Sequence, residues 1–199
     1  MSTPVSSSPA LSHSHTLAEK ERHAAIMKKF DSYSLPTVPS MTPSQVALRM
    51  REDRDALLIV DTRSQPEWQV SKIPGAVSSA TFEEMLAAGD IDSKRYTAIV
   101  CYCTLGVRSA KYAARTSAAN PQLSIYNMPG SILSWVWEGG EEGTEFGQLV
   151  DSDGNPTKEC HVYGAPWDLL PDGFVSRTFG PISAARHAQP SIGQRCIIH

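Results

Sequence analysis

Residues 97–110 have the sequence Thr-Ala-Ile-Val-Cys-Tyr-Cys-Thr-Leu-Gly-Val-Arg-Ser-Ala. This segment is the most informative part of the chain about its fold class. Its first part is a short apolar run, typical of a strand that is buried on both faces of a sheet. A glycine-containing loop follows Cys103, and a helix is predicted from Val107 to Ala119, where Asn120-Pro121 ends it. A buried strand that leads through a short loop into a helix indicates an α/β domain with a parallel sheet.

The same alternation of strands and helices continues on either side of this stretch. Strands are predicted at residues 56–60 and 123–126. Helices are predicted to begin at three segments with the spacing of a capping box: Thr42-Pro-Ser-Gln45, Ser64-Gln-Pro-Glu67 and Thr81-Phe-Glu-Glu84. We therefore expect a parallel central sheet with helices on both faces.

The chain divides into four segments by composition. The first is rich in Ser, Pro and His and predicts a flexible tail, and the second begins with the capping box Thr16-Leu-Ala-Glu19 and predicts a helix. The last segment predicts a hairpin in which residues 146–150 and 157–163 flank a turn at residues 151–155, with irregular structure beyond Trp167. The predicted segments are a tail at 1–15, a helix at 16–34, an α/β domain at 35–140 and a C-terminal extension at 141–199.

Composition narrows the classes of partner and the compartment. The 199 residues carry a net charge of −3 with both signs mixed, which argues against a surface for nucleic acid or for anionic membranes. No apolar run approaches the ~20 residues of a membrane span, and the N-terminus lacks the pattern of a secretory signal. Four cysteines in a chain of this size fit no disulfide framework. The expectation is a reducing compartment, the cytoplasm, with an organellar matrix as the alternative.

Cys103 is the candidate nucleophile because of where the pattern places it. The end of a parallel strand opens into the crevice where α/β sheets bind ligands. Loop amides and the N-terminus of the following helix direct positive partial charge at the thiol, which lowers its pKa. Arg108 adds a full charge to the same loop. The same N–H groups can hold a persulfide or the anionic oxygens of a sulfur donor.

Four segments of the chain carry a resemblance to a known family. Cys103-Thr-Leu-Gly-Val-Arg-Ser109 resembles the active loop of rhodanese (thiosulfate sulfurtransferase-like) domains. Three further segments resemble that family in the same order: Val60-Asp-Thr-Arg63 followed by Glu67-Trp68; Ile73-Pro-Gly-Ala76, with Lys72 in place of the usual His; and Met128-Pro-Gly-Ser-Ile-Leu-Ser-Trp135, with Ser131 in place of the second Gly. The resemblance spans residues 38–140. It is to a single rhodanese unit, so the chain resembles the single-domain members of the family.

The resemblance implies a rhodanese-like three-layer fold and a sulfurtransferase. Cys103 would accept a sulfane sulfur from thiosulfate, mercaptopyruvate or a persulfide, and pass it to cyanide or to a thiol, including a protein thiol. It implies no cofactor and no metal, and Thr104-Leu105 leaves the identity of the donor open. The substrate contacts would come from Thr104, Leu105, Gly106, Val107, Arg108 and Ser109.

Three charged residues are interpreted as structural supports. Arg63 and Glu67 are four apart at the start of a helix, and this spacing predicts an ion pair between them. Asp61 at the end of its strand is expected to hold backbone or loop groups. The tryptophans Trp135 and Trp137 are interpreted as packing residues.

Three alternative functions remain open at this point. The first is a non-catalytic rhodanese module for protein binding or regulation. The second is a small phosphatase or arsenate reductase, although these relatives have one residue more between the cysteine and the arginine than the four found here. The third is a thiol redox sensor, in which Cys101 or Cys196 acts as the resolving thiol for Cys103. Simple core packing is the preferred interpretation of Cys101.

Overall fold

The computed structural model describes residues 17–140 and 144–179. The predicted tail, Thr16 and Cys196 therefore lie outside the described residues. The helices are α1 (Leu17–Asp31), α2 (Pro43–Glu52), α3 (Gln65–Val70), α4 (Ser79–Ala88), α5 (Val107–Ala119) and α6 (Ser131–Glu138). The strands are β1 (Leu57–Asp61), β2 (Val77–Ser78), β3 (Ala98–Tyr102), β4 (Ile125–Asn127), β5 (Leu149–Val150), β6 (Pro156–Thr157), β7 (Glu159–His161) and β8 (Val175–Arg177).

The central sheet has the order β2-β1-β3-β4, with all three pairings parallel. Strands β1 and β3 are buried along their whole length, as the uniformly apolar runs predict. In the register, Asp61 lies beside Tyr102, and Cys101 lies beside Asn127. The carboxyl ends of β1, β3 and β4 therefore meet at the edge of the sheet from which Cys103 continues.

Two apolar clusters cover the two faces of the sheet, which confirms the three-layer α/β fold. Alternate strand residues point to opposite faces, so Ile59 and Val100 belong to one cluster while Val60 and Cys101 belong to the other. The first cluster takes side chains from α1, α2 and α6, and the second takes them from α4 and α5. Fully buried Cys101 packs in the second cluster, and the tryptophans of α6 pack in the first, as predicted.

Side-chain caps begin helices α2, α3 and α4, with one correction to the prediction. Thr42 and Gln45 form the reciprocal bonds of a capping box at α2, and Ser64 and Glu67 do so at α3. The prediction that a helix begins at residues 81–84 is wrong in its start. Helix α4 begins earlier, at Ser79, because the Ser78 hydroxyl accepts the Thr81 N–H at 3.0 Å.

The predicted hairpin is confirmed in part. Strands β5 and β6 are antiparallel on either side of the turn, in which the Asp151 carboxylate accepts the N–H groups of Asp153 and Asn155. The prediction that residues 157–163 continue this hairpin is wrong, because β7 leaves it and pairs in parallel with β8. The chain beyond Trp167 thus contains a strand that weak periodicity did not reveal. The β7–β8 sheet brings β7 against α3, next to the candidate site.

Helix α1 packs on the α/β domain and against the extension. Ile26 is fully buried, Arg22 pairs with Asp172, and the Lys29 ammonium donates to the Pro166 carbonyl at 2.8 Å. In the described ranges, every helix is too short or too polar to cross a membrane.

Candidate active site

Cys103 lies in the loop between β3 and α5, and polar groups of the loop and of α5 surround its sulfur. The Gly106 N–H donates to Sγ at 3.1 Å, and Ser109 Oγ lies 3.6 Å from Sγ. The residue is 1% exposed, so the sulfur lies under the surface of the loop. A thiol in this position has N–H groups directed at the place where negative charge would develop.

The pKa of Cys103 is lowered from its ordinary value although the residue is buried. Burial by itself raises this pKa because it disfavours the thiolate. The charge of Arg108 and the hydrogen bonds from Ser109 and Gly106 act in the opposite direction and outweigh the burial. At Cys160 burial prevails: it raises the pKa to about 11, although the Arg63 charge and a hydrogen bond from Ser71 act against it. The loop therefore favours a thiolate at Cys103.

Gly106 is required by the shape of the loop. Its φ is +110°, a conformation that side chains rarely adopt. A Cβ atom there would lie 2.8 Å from the Phe30 ring and 3.1 Å from the Met128 carbonyl oxygen. Phe30 belongs to α1, so this helix packs directly on the loop.

Gly106→Ala should destabilise the protein more than Gly89→Ala does. Gly89 also has a positive φ, +78°, but a Cβ there would meet nothing within 4 Å. Gly89→Ala therefore carries the cost of the left-handed backbone alone, about 1–2 kcal/mol. Gly106→Ala adds steric overlap, and we expect a further loss of about 1–3 kcal/mol in the free energy of unfolding, measured by urea denaturation. Equal losses for the two variants would contradict the close packing of Phe30 on the loop.

Arg108 extends from the first turn of α5 to Glu67 on α3. Its two terminal nitrogens donate to the two oxygens of the Glu67 carboxylate at 2.7 and 2.8 Å, and one of them also donates to Thr104 Oγ1 at 3.1 Å. Burial alone raises the pKa of Glu67, but the hydrogen bonds from Arg108, His161 and Ser64 hold it well below its usual range. Glu67 is thus an ionised carboxylate that fixes the guanidinium group beside the Cys103 loop.

The predicted ion pair between Arg63 and Glu67 is wrong. Arg63 precedes the helix, and its guanidinium turns back to Asp61, with which it makes hydrogen bonds of 3.0 and 2.6 Å. Glu67 instead faces Ser64, whose N–H and hydroxyl it accepts at 3.0 and 2.8 Å. The spacing of four residues has no effect here because Arg63 lies outside the helix.

Asp61 and Arg63 form a fully buried ion pair at the carboxyl end of β1. Asp61 also accepts the Arg63 N–H at 3.0 Å and the Tyr102 hydroxyl at 2.7 Å. Arg63 donates to the Ser71 carbonyl, and Tyr102 accepts the Ile73 N–H. The expectation that Asp61 holds backbone or loop groups is confirmed by its bond to the Arg63 N–H, and Tyr102, the residue before Cys103, links the pair to the active-site loop.

Two polar residues of the loop surroundings were not predicted as part of the site. The Asn127 amide oxygen accepts the Ser109 hydroxyl at 2.7 Å, and Ser131 Oγ accepts the Cys103 N–H at 3.0 Å. Ser131 is also the residue with a left-handed backbone, φ +49°, at the position where the resembling pattern has glycine. The sequence could have indicated Asn127, because a polar residue that ends a strand beside β3 faces the crevice at the carboxyl ends of the strands.

Helix α6 holds the loop from the other side. The N–H groups of Ile132 and Leu133 donate to the carbonyls of Cys103 and Thr104 at 3.2 and 3.4 Å. Thr104, Leu105 and Ser109 are buried, with Leu105 in the first apolar cluster. Of the predicted residues 103–109, the first four lie in the loop and the last three in the first turn of α5, with side chains that face in different directions.

Two residues of the C-terminal extension also reach this region. Nδ1 of His161 lies 3.1 Å from Glu67 Oε1, and His161 is 4% exposed. The guanidinium of Arg108 lies 5.5 Å from the centroid of the Tyr163 ring, which is 64% exposed. Sequence reasoning missed both residues. His161 is separated from Glu67 by 94 positions, so no local spacing could have indicated this contact.

The described residues include no cluster of three or more His, Cys, Asp and Glu side chains that could hold a metal ion. Cys160 and His161 are adjacent in sequence, but Cys160 is buried in the first apolar cluster.

Comparison with known proteins gives a family for the domain. Residues 42–138 match the family described as rhodanese-like domain, while no curated protein matches the sequence significantly. A rhodanese-like domain protein from Staphylococcus aureus is 24% identical, with 55% of this chain and 98% of that chain covered and a TM-score of 0.41. A thiosulfate sulfurtransferase from Pseudomonas aeruginosa is 18% identical, with 69% and 23% covered and a TM-score of 0.47. The assignment rests on the matched residues, which identify residues 42–138 as a rhodanese-like domain.

Proposed function

We propose that this protein is a sulfurtransferase that carries a sulfane sulfur on Cys103. One observation carries the proposal: a buried thiol at the end of β3 has a lowered pKa because Arg108, Ser109 and Gly106 outweigh its burial. A buried cysteine that serves only for packing shows the opposite shift, as Cys101 does in the same strand. The thiolate is the form that attacks sulfur.

The reaction would proceed in two steps through a covalent intermediate. The Cys103 thiolate attacks the outer sulfur of thiosulfate, a new S–S bond forms, the S–S bond of the donor breaks, and sulfite leaves with the electron pair. Cyanide then attacks the outer sulfur of the persulfide, thiocyanate leaves, and the thiolate is restored. A thiolate acceptor would take the sulfur in the same way and leave as a persulfide.

The loop supplies the groups that each step needs. The backbone N–H groups of Gly106 and Ser109, which act on Sγ in the resting protein, would hold the negative charge of the persulfide. Arg108 would favour the approach of an anionic donor, because its guanidinium is charged and 36% of its side chain is exposed.

Intact-protein mass spectrometry after incubation with thiosulfate tests the proposal. We expect a mass gain of one sulfur atom that disappears when cyanide is added. Cys101→Ala is the matched control, since it removes the neighbouring cysteine of β3 and should keep the gain. Absence of a gain in the wild-type protein with thiosulfate, with mercaptopyruvate and with an organic persulfide would contradict the proposal.

A non-catalytic binding module is the second candidate function. The observation that favours it is the closure of the loop, in which Cys103 is 1% and Thr104 is 3% exposed. A module of this kind would form no persulfide with any of the three donors, so the same mass measurement separates the two candidates.

A further inference from the structure

We propose that His161 of the C-terminal extension is a positioning residue of the active site: it holds the Glu67 carboxylate, and through it keeps Arg108 beside Cys103. The catalytic part of this role rests on the sulfurtransferase function proposed above. It concerns a residue outside residues 42–138, the part of the chain that matches the family.

The contact between His161 and Glu67 is a buried one. The side chains of His161 and Glu67 are 6% and 3% exposed, and Nδ1 lies 3.1 Å from Oε1. A hydrogen bond to a carboxylate that is removed from water is stronger and better defined in direction than one at the surface. The contact is therefore suited to fixing the orientation of the carboxylate plane.

The direction of this hydrogen bond follows from the state of Glu67. An ionised carboxylate has no proton and can only accept. Arg108 donates to both of its oxygens, so His161 must donate as well, and the proton of the imidazole lies on Nδ1. The Oε1 oxygen thus accepts from Arg108 and from His161 at the same time.

The extension holds His161 itself in place. β7 pairs with β8 in a register that sets His161 beside Arg177, and the imidazole stacks on the Phe179 ring with centroids 4.4 Å apart. On the other side, Glu67 is anchored by its capping bonds to Ser64. Glu67 thus has partners on α3 and on the extension in addition to Arg108.

A chain of contacts then connects the extension to the sulfur. His161 orients Glu67, Glu67 holds both terminal nitrogens of Arg108, and the charge of Arg108 acts on the Cys103 thiol. Without His161, one oxygen of Glu67 loses a donor, and the carboxylate can rotate together with the bound guanidinium. The average distance of this charge from Cys103 would then increase, with the largest effect on reagents that carry a negative charge.

His161→Leu and His161→Asn form a matched pair for the test. Leucine has a similar volume but is apolar and cannot donate a hydrogen bond. The amide NH₂ of asparagine can take the position of Nδ1–H. Alkylation of Cys103 with iodoacetate and with iodoacetamide measures the local charge, since the two reagents share a leaving group and differ in charge. This measurement needs no sulfur donor, so it is independent of whether the protein transfers sulfur.

For His161→Leu, we expect the ratio of the iodoacetate rate to the iodoacetamide rate to fall by about three- to tenfold, and the KM for thiosulfate to rise by a similar factor with a smaller change in kcat. Arg108→Met should lower the ratio further and sets the upper limit. His161→Asn should restore most of the wild-type ratio. Glu159 lies on the same strand as His161 and forms an exposed ion pair with Arg177 of β8. Glu159→Gln removes the charge from this pair and should leave the ratio unchanged.

Three outcomes would overturn the proposal. They are an unchanged ratio in His161→Leu, an equal loss in the leucine and asparagine variants, and an NMR spectrum of the wild-type protein that shows the His161 proton on Nε2 alone. If the ratio changes as expected but no persulfide forms, the positioning role stands and the sulfurtransferase proposal fails. If a persulfide forms and the ratio is unchanged, the sulfurtransferase proposal stands and the role of His161 is wrong.

Discussion

Cys103→Ser should lower sulfur transfer from thiosulfate to cyanide by at least about 1,000-fold, because a serine hydroxyl remains protonated near neutral pH and does not attack sulfur. The Gly106 N–H and the Ser109 hydroxyl would still surround the side chain, so the loop should keep its shape. The measurement is thiocyanate formation under steady-state conditions, with intact mass to verify that the variant gains no sulfur.

Stability provides the control for this variant. Serine is slightly smaller than cysteine and can bond to the same donors, so the midpoint of thermal unfolding should stay close to that of the wild type. Transfer that persists in a folded Cys103→Ser protein would assign the chemistry to another thiol. Loss of transfer together with loss of folding would be resolved by Cys103→Ala, which is expected to be folded and equally inactive.

Asp61→Ala should be the most destabilising single substitution in the α/β domain. Removal of this carboxylate leaves the fully buried Arg63 guanidinium without its counter-ion and leaves the Tyr102 hydroxyl without its acceptor. Loss of one partner of a buried ion pair costs about 3–5 kcal/mol, which for a chain of this size lowers the midpoint of thermal unfolding by about 10 °C. Differential scanning calorimetry measures the effect.

Asp172→Ala is the matched control, since it also replaces an aspartate by alanine but does so in the exposed ion pair with Arg22. We expect little change there because water screens an exposed ion pair. The double variant Asp61→Leu with Arg63→Met should recover much of the lost stability, because it leaves no unpaired buried charge. A loss for Asp61→Ala no larger than that for Asp172→Ala would contradict the proposed role of the pair.

Local patterns were sufficient to predict the elements that carry the nucleophile. The apolar run of β3, the glycine loop and helix α5 lie where residues 97–119 indicate them, and the capping boxes at Thr42 and Ser64 are present. These features depend on neighbours within a few positions along the chain. The strand β8 lacked such a pattern, because it is short and pairs only with a distant segment.

The partners of Glu67 show the limit of the sequence. Its neighbour at a spacing of four, Arg63, was the predicted partner, whereas the carboxylate binds Arg108 and His161, which are 41 and 94 positions away. The geometry of Asn127 and Ser131 around the loop was likewise set by how β4 and α6 pack beside β3. Hydrogen bonds of this kind depend on which elements become neighbours in space.

The α/β class, the parallel sheet, the rhodanese-like resemblance and the position of Cys103 at the end of a strand all follow from local patterns in the sequence. The pairing of the charges, the packing of Phe30 on the loop and the contact between His161 and Glu67 become visible once the chain is folded. The physical reason is that periodicity and capping act over one or two turns of chain, whereas the arrangement of buried charges depends on the packing of whole layers.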